Sequence, residues 1–82
     1  MNPFIRLHAA DDVVIARQQL LGGAVVEGLQ LRGVIAPGHK LATRAIAQGQ
    51  PVRRYNQIIG FASRDIGAGE HVHTHNLDMG AD

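Results

Sequence analysis

The chain has 82 residues, a net charge of +1 and 45% hydrophobic residues, which fits one domain over residues 1–82. Its eight Lys and Arg residues are scattered apart from Arg53 and Arg54, whereas phosphate-backbone binding needs a concentrated positive patch. No apolar run approaches the roughly 20 residues that cross a bilayer, and the N-terminus lacks a signal-peptide pattern. We therefore expect a cytoplasmic protein with no nucleic-acid or membrane partner. The absence of cysteine excludes disulfides and thiolate metal sites.

Short strands separated by turns are predicted along the whole chain. Residues 4–8 and 29–34 alternate with a period of about two, which is typical of β-strands. Ten glycines and three prolines, spaced every few positions, leave room for no more than a turn or two of helix. A helix is least implausible at residues 42–47. The sequence predicts a compact all-β fold with little helix.

Three segments of the chain can be superposed. Residues 42–56 (ATRAIAQGQPVRRYN) and 62–76 (ASRDIGAGEHVHTHN) share Ala, Arg, Ile, Gly, Val and Asn at matching positions. Residues 16–26 (ARQQLLGGAVV) keep the Ala, an aliphatic residue, the Gly and the Val. The irregular period favours a supersecondary unit used three times, each with two strands around a Gly turn. The residues predicted to point inward are Val26, Ile46, Val52, Ile66 and Val72.

The third segment ends in a row of histidines, His71, His73 and His75, within GEHVHTHN. The pattern predicts a strand over residues 72–75, and alternate side chains of a strand point to one face. If this strand also includes position 71, the three imidazoles form a row on that face. On a helix, His71 and His75 would have the i,i+4 spacing of zinc ligands, but the glycines upstream favour the strand. A row of imidazoles can bind metal, transfer protons, or simply form a solvated edge-strand face. The spacing alone leaves these alternatives open.

Other candidate residues are few. His39 and Lys40 follow a turn in PGHK; Lys40 could contact an oxyanion or be an ordinary surface charge. No nucleophile constellation or phosphate-binding glycine loop is present. A substrate pocket of about 300 Å³ or more is hard to form in so short a chain. Any catalysis is therefore expected to need a partner.

The segment over residues 36–77 closely resembles the SAF domain of the altronate and galactarate dehydratase family. The matching motifs are Gly38-His39-Lys40, the Ile-x-x-Gly-x-x-Val units, Ile59-Gly60 and Val72-His73-Thr74-His75-Asn76. One departure is Asn56, where the family usually has Gly; Asn is well tolerated if a positive φ is needed there. His71 lies outside the most characteristic string and is given less weight.

This resemblance implies a SAF-type β-clip fold and a hydro-lyase that dehydrates a sugar acid of the altronate or galactarate type. It implies a larger catalytic subunit or domain as partner and a divalent metal such as iron. His39, His73 and His75 would be catalytic, with His73 and His75 also as metal ligands. Lys40 and Asn76 would bind substrate, although Asn76 could instead cap the turn.

Three alternatives follow from the same resemblance and from the histidine row. The chain could be a small subunit of the sulfolactate sulfo-lyase type, a non-catalytic SAF docking module, or a stand-alone metal-binding protein. SAF domains also occur outside lyases, so the fold alone does not determine the function. Self-association that covers the docking surface is a further expectation.

Overall fold

The computed structural model describes residues 3–6, 8–26 and 28–78, with Val26 described by its backbone only. These residues form antiparallel β-structure without a helix, which confirms the all-β prediction. None of them belongs to a helix long and apolar enough to cross a membrane. The strands are β1 (Phe4–Ile5), β2 (Val13–Ala16), β3 (Val25–Val26), β4 (Leu29–Gln30), β5 (Lys40–Ala42), β6 (Pro51–Arg54), β7 (Gln57–Ala62), β8 (His71–Val72) and β9 (Leu77–Asp78).

Three sheets are built from these strands. The first has the order β1-β2-β5-β8, the second pairs β3 with β4, and the third has the order β6-β7-β9. At the β5–β8 edge of the first sheet, Lys40 lies opposite Val72 and Leu41 opposite His71. Residues far apart in the sequence, at the start of β5 and the end of β8, are therefore neighbours in space.

The Ile-x-x-Gly-x-x-Val unit occurs four times in the structure, not three. The additional unit is Ile35-x-x-Gly38-x-x-Leu41. It was not recognised in the sequence because its last position is Leu where the other units have Val. In all four units the central glycine has a positive φ, between 81° and 86°. The four units occupy residues 20–26, 35–41, 46–52 and 66–72.

Paired hydrogen bonds join the units two by two. The Gly38 N–H donates to the Ala16 carbonyl at 2.8 Å, and the Ala16 N–H donates back to the His39 carbonyl at 2.9 Å. The Gly69 N–H bonds the Ala42 carbonyl at 2.8 Å in the same way. The first aliphatic residues of the units form isolated bridges, Leu20 with Ile35 and Ile46 with Ile66. Each central glycine thus donates to the carbonyl of the residue four positions before the first aliphatic residue of its partner unit.

Two hydrophobic clusters lie on the two faces of the first sheet. Alternation along β2 and β5 sends Val14 and Leu41 to one cluster and Val13 and Ala42 to the other. The first cluster contains Phe4, Val14, Ala16, Leu20, Leu31, Ile35 and Leu41. The second contains Val13, Ala42, Ile46, Val52, Ala62, Ile66 and Val72. Four of the five side chains predicted to point inward are therefore buried, and the fifth, that of Val26, lies outside the described part.

The strand predicted over residues 72–75 is wrong, because β8 ends at Val72 and the chain turns immediately after it. Residues 42–47, where the sequence left room for a short helix, are not helical, because Ala42 completes β5 and Ile46 makes its bridge to Ile66. The departure from the family pattern is explained, since Asn56 has a φ of 57°.

Asn56 belongs to a hairpin that two buried carboxylates attach to the first sheet. With Tyr55 at φ 55° it forms the two-residue loop between β6 and β7, which has the positive φ values of a type I′ turn. Asp11 accepts a hydrogen bond from the Asn56 N–H at 2.8 Å, and Asp12 accepts one from the Arg53 N–H at 2.8 Å. The sequence analysis did not identify these carboxylates.

Candidate histidine site

Four imidazoles gather at the β5–β8 edge of the first sheet; we call His39, His71, His73 and His75 the histidine cluster. His39 directly precedes β5 and His71 opens β8. Continuing the register by one residue beyond Lys40 and Val72 places His39 opposite His73. The His39 ring centroid lies 5.1 Å from that of His71 and 5.2 Å from that of His73. Sheet pairing therefore brings the PGHK turn to the histidine row.

A direct hydrogen bond joins two members of the cluster. Nδ1 of His39 and Nε2 of His71 are 2.9 Å apart, and both side chains are half-buried. One of these nitrogens must donate its proton and the other must accept it, so the bond needs at least one ring nitrogen without a proton. The pair can share a proton across the two strands.

His71 is the central ring of the cluster. Its centroid lies 5.5 Å from those of both His73 and His75, and the His71 and His73 rings are nearly parallel at 9°. Burial lowers the pKa of His71, and the positive charges of His39, His75, His73 and Lys40 lower it further. Both effects favour the neutral ring, which can accept a proton or bind a metal. The sequence had given His71 the least weight of the row.

A turn replaces the expected strand beyond Val72. The His73 carbonyl accepts hydrogen bonds from the Asn76 N–H at 3.1 Å and the Leu77 N–H at 2.9 Å. His71 and His73 nevertheless stack on a common side, as strand alternation predicts. His75 belongs to the turn and is exposed, and it reaches His71 from there.

Three of the four imidazoles are close enough to share one metal ion. The ligand nitrogens of His39, His71 and His73 all lie within 4.8 Å of one another. Tetrahedral nitrogen ligands at about 2.1 Å from an ion are about 3.4 Å apart, so small rotations of these side chains would suffice. This set adds His39 and His71 to His73, whereas the sequence prediction paired His73 with His75. The identity of the ligands stays a prediction.

The two residues predicted to bind substrate have different surroundings. Lys40 is half-buried on β5, and strand alternation turns it to the face of Val72, away from that of Leu41. Asn76 has no exposed surface. Its Oδ1 accepts from the His73 N–H at 3.0 Å and its Nδ2 donates to the His71 carbonyl at 2.8 Å. The geometry favours the turn-capping alternative for Asn76.

The cluster lies at an edge of the sheet where His73 and His75 are exposed. A cavity of about 160 Å³ is lined by Phe4, Arg6, Gly28, Leu29 and Thr43. A second, open depression is lined by residues 28–32 and Ala68. Neither includes a histidine. A substrate bound at the cluster would have to be enclosed by a second surface.

Comparison with known proteins gives the same family along almost the whole chain. The model of the altronate/galactarate dehydratase SAF domain matches residues 2–80. The altronate dehydratase of Escherichia coli K12 is 43% identical over 77 residues, and that of Bacillus subtilis is 35% identical over 80 residues. These alignments cover 89% and 93% of this chain but 16% of each relative.

A relative of similar length is also found. The (2R)-sulfolactate sulfo-lyase subunit alpha of Chromohalobacter salexigens is 35% identical over 83 residues, which cover 87% of this chain and 88% of that subunit. The chain therefore spans about one sixth of the length of the altronate dehydratases but matches most of this subunit.

Proposed function

Because the chain belongs to the altronate/galactarate dehydratase SAF domain family, we propose that it is the smaller part of a hydro-lyase that dehydrates a sugar acid. It would act as a small subunit or as an N-terminal domain beside a larger catalytic part. The altronate dehydratases support the reaction class, and the subunit named alpha in the sulfo-lyase supports a separate small subunit as one arrangement.

The observation that carries this proposal is the convergence of four imidazoles on an open edge. Groups suited to proton transfer are concentrated at the β5–β8 edge, yet neither cavity reaches them. A surface of the catalytic part that covers this edge would complete a pocket and exclude water from the histidines. We propose that the active site is shared between the two parts.

The reaction explains the need for imidazole. Dehydrating a sugar acid breaks the C–H bond next to the carboxylate, and its electron pair forms the new C=C bond. The hydroxyl on the next carbon then leaves and takes up a proton to become water. His39, His73 and His75 are proposed to accept the first proton and supply the second, work for which histidine is suited near neutral pH. The His39–His71 hydrogen bond would let a proton accepted at one ring be shared with the other.

The chain's own residues also fit a divalent metal such as iron. The nitrogens of His39, His71 and His73 would hold it, with His75 beside His71 as a further donor, and imidazole is a common ligand of such metals. A ring nitrogen bound to the metal cannot also transfer a proton, so metal ligation and proton transfer are alternative roles for His39 and His73. When bound, the metal would coordinate the substrate carboxylate and make the neighbouring proton more acidic.

A second candidate function is that of a small subunit in a sulfolactate sulfo-lyase. It is favoured by the alignment to subunit alpha, which covers most of both chains. Its reaction would release a sulfur-containing group in place of hydroxide, so the same imidazoles could abstract the first proton. The substrate assay described next separates the two candidates.

The test is to co-express the chain with the catalytic part and assay altronate, galactarate and (2R)-sulfolactate. Single His73→Gln and His75→Gln variants are compared with His8→Gln, which changes an exposed histidine outside the cluster. Loss of metal content in a cluster variant indicates ligation, and loss of rate with metal retained indicates proton transfer. Full metal and full rate in both cluster variants would contradict the site, and a catalytic part that is equally active without the chain would indicate a docking module.

A further inference from the structure

We propose that Asn76 is the positioning residue of the histidine cluster, an inference that rests on the function proposed for that cluster. Asn76 is fully buried, and among the described residues the other buried polar side chains are the two carboxylates Asp11 and Asp12. Burying an amide is costly unless its donors and acceptors are paired. The pairing of Asn76 therefore shows what the side chain stabilises.

The amide joins the backbones of two cluster residues. Its Nδ2 donates to the carbonyl of His71 at 2.8 Å, and its Oδ1 accepts from the N–H of His73 at 3.0 Å. These bonds span Val72 and end the strand there. The rings of His71 and His73 are 5.5 Å apart and stacked. By bonding the backbone of both residues, Asn76 holds the two Cα positions from which these rings project.

Glu70 fixes which way the amide faces. Glu70 Oε2 lies 3.4 Å from Nδ2 of Asn76, and Glu70 Oε1 accepts a hydrogen bond from the Gly67 N–H at 2.9 Å. Arg64 approaches Glu70 Oε2 at 3.8 Å from outside. A carboxylate at position 76 would face both Glu70 and the His71 carbonyl with an acceptor in place of a donor. The site therefore requires the amide and not merely a side chain of that shape.

The experiment uses the 82-residue chain with Asn76→Ala and Asn76→Asp. The imidazole ¹⁵N chemical shifts of His39 and His71 report which ring nitrogen carries the proton, and Co²⁺ titration followed by visible absorption reports the metal affinity. Phe4→Leu is the control, since Phe4 is buried on β1, at the opposite edge of the first sheet from β8, and its truncation lowers stability away from the turn. We expect the control to keep the shifts of the unmodified chain. Both Asn76 variants should lose the shared-proton pattern and bind Co²⁺ about 10–100-fold more weakly, as groups that orient metal ligands do.

Each outcome decides the proposal. Unchanged shifts and Co²⁺ affinity in folded Asn76 variants would overturn it. If the unmodified chain does not bind Co²⁺, the metal part of the proposed function fails, while the imidazole shifts still decide the positioning role. If the Ala variant does not fold, the nearly isosteric Asp variant decides. If neither folds, Asn76 is needed for the fold itself and the proposal is overturned.

Discussion

His39 Nδ1 and His71 Nε2 lie 2.9 Å apart although 32 positions separate the two residues in the sequence. The contact exists because β5 and β8 are neighbours at the edge of the first sheet. The contact adds His39 to the three histidines of residues 71–75, so the cluster comes from two segments of the chain and has His71 at its centre.

The central position of His71 predicts the order of effects within the cluster. His71→Gln removes the ring that contacts the three others, whereas His75→Gln removes a ring that contacts His71 from the turn. In the assembled enzyme we expect His71→Gln to lower kcat/KM by about 100-fold or more, because it removes the ring with which His39 shares a proton, and more than His75→Gln does. Steady-state kinetics with circular dichroism of both variants checks this order. An equal or smaller loss for His71→Gln would contradict the central role.

The lowered pKa of His71 predicts a loss of stability in mild acid. Burial is the main cause, with the charges of His39, His75, His73 and Lys40 adding to it. The unfolded chain, whose histidine pKa is about 6.5, then binds more protons than the folded chain between 6.5 and the lower folded pKa. The stability that the neutral His71 ring contributes is therefore fully present above pH about 6.5. It is lost as the pH falls from 6.5 through the pKa of His71 in the folded chain.

The measurement is urea unfolding of the unmodified chain and of His71→Gln across this pH range, with an NMR titration of His71. We expect the variant to lose less stability on acidification than the unmodified chain, because its amide does not titrate. Identical pH slopes, or a His71 pKa at or above 6.5, would contradict the prediction.

Substitution of Ile66 tests whether pairing of the units stabilises the fold. Ile66 is 1% exposed, belongs to the second cluster and bridges to Ile46 across the paired units. Ile66→Ala should lower the free energy of unfolding by about 2–5 kcal/mol. Ile35→Ala, at the same position of the additional unit, should cost a similar amount, since Ile35 is fully buried. Urea denaturation measures the stability of both variants. A loss of stability near zero for Ile35→Ala would show that the additional unit is not equivalent to the other three.

Two glycines at the same position of different units separate backbone strain from steric collision. Gly49 and Gly69 have φ values of 86° and 84°. A Cβ on Gly49 meets no atom within 4 Å, whereas one on Gly69 would collide with the Gln30 carbonyl oxygen. Gly49→Ala should cost about 1–2 kcal/mol from the positive φ alone.

Gly69→Ala should cost more than Gly49→Ala and should also disturb His71, because Gly69 lies two residues before β8. Thermal unfolding compares the two stabilities, and the His71 imidazole shifts report the disturbance. Equal stability losses with unchanged shifts would contradict the steric argument.

The open position of the cluster predicts that the 82-residue chain has little or no lyase activity alone. His73 and His75 are exposed, and neither of the two depressions described above is lined by a histidine, so a second surface is needed to position the substrate. Assays of the purified chain with added divalent metal, before and after addition of the catalytic part, test this. Robust turnover of a sugar acid by the chain alone would refute the shared site.

The sequence by itself determined the fold class, the glycine-centred units and their buried aliphatic positions. These features are local: a glycine every few residues supplies the turns, and the aliphatic residues at fixed distances from it are the apolar groups available for burial. Even the positive φ of Asn56 could be anticipated from its residue type. The unit at Ile35 was missed because Leu41 stands where the others have Val, although both are buried aliphatic residues.

Only the tertiary structure decided the composition of the candidate site. Alternation along one segment could group His71 with His73, and the family resemblance placed His39 with His73 and His75, but only the pairing of β5 with β8 showed that His39 contacts His71. The end of β8 at Val72 could not be predicted from the local sequence pattern either, because it depends on the buried side-chain amide of Asn76, which closes the turn. Register and burial depend on contacts between residues distant in sequence, so the same histidine spacing is compatible with a solvated strand, a helix or the cluster observed.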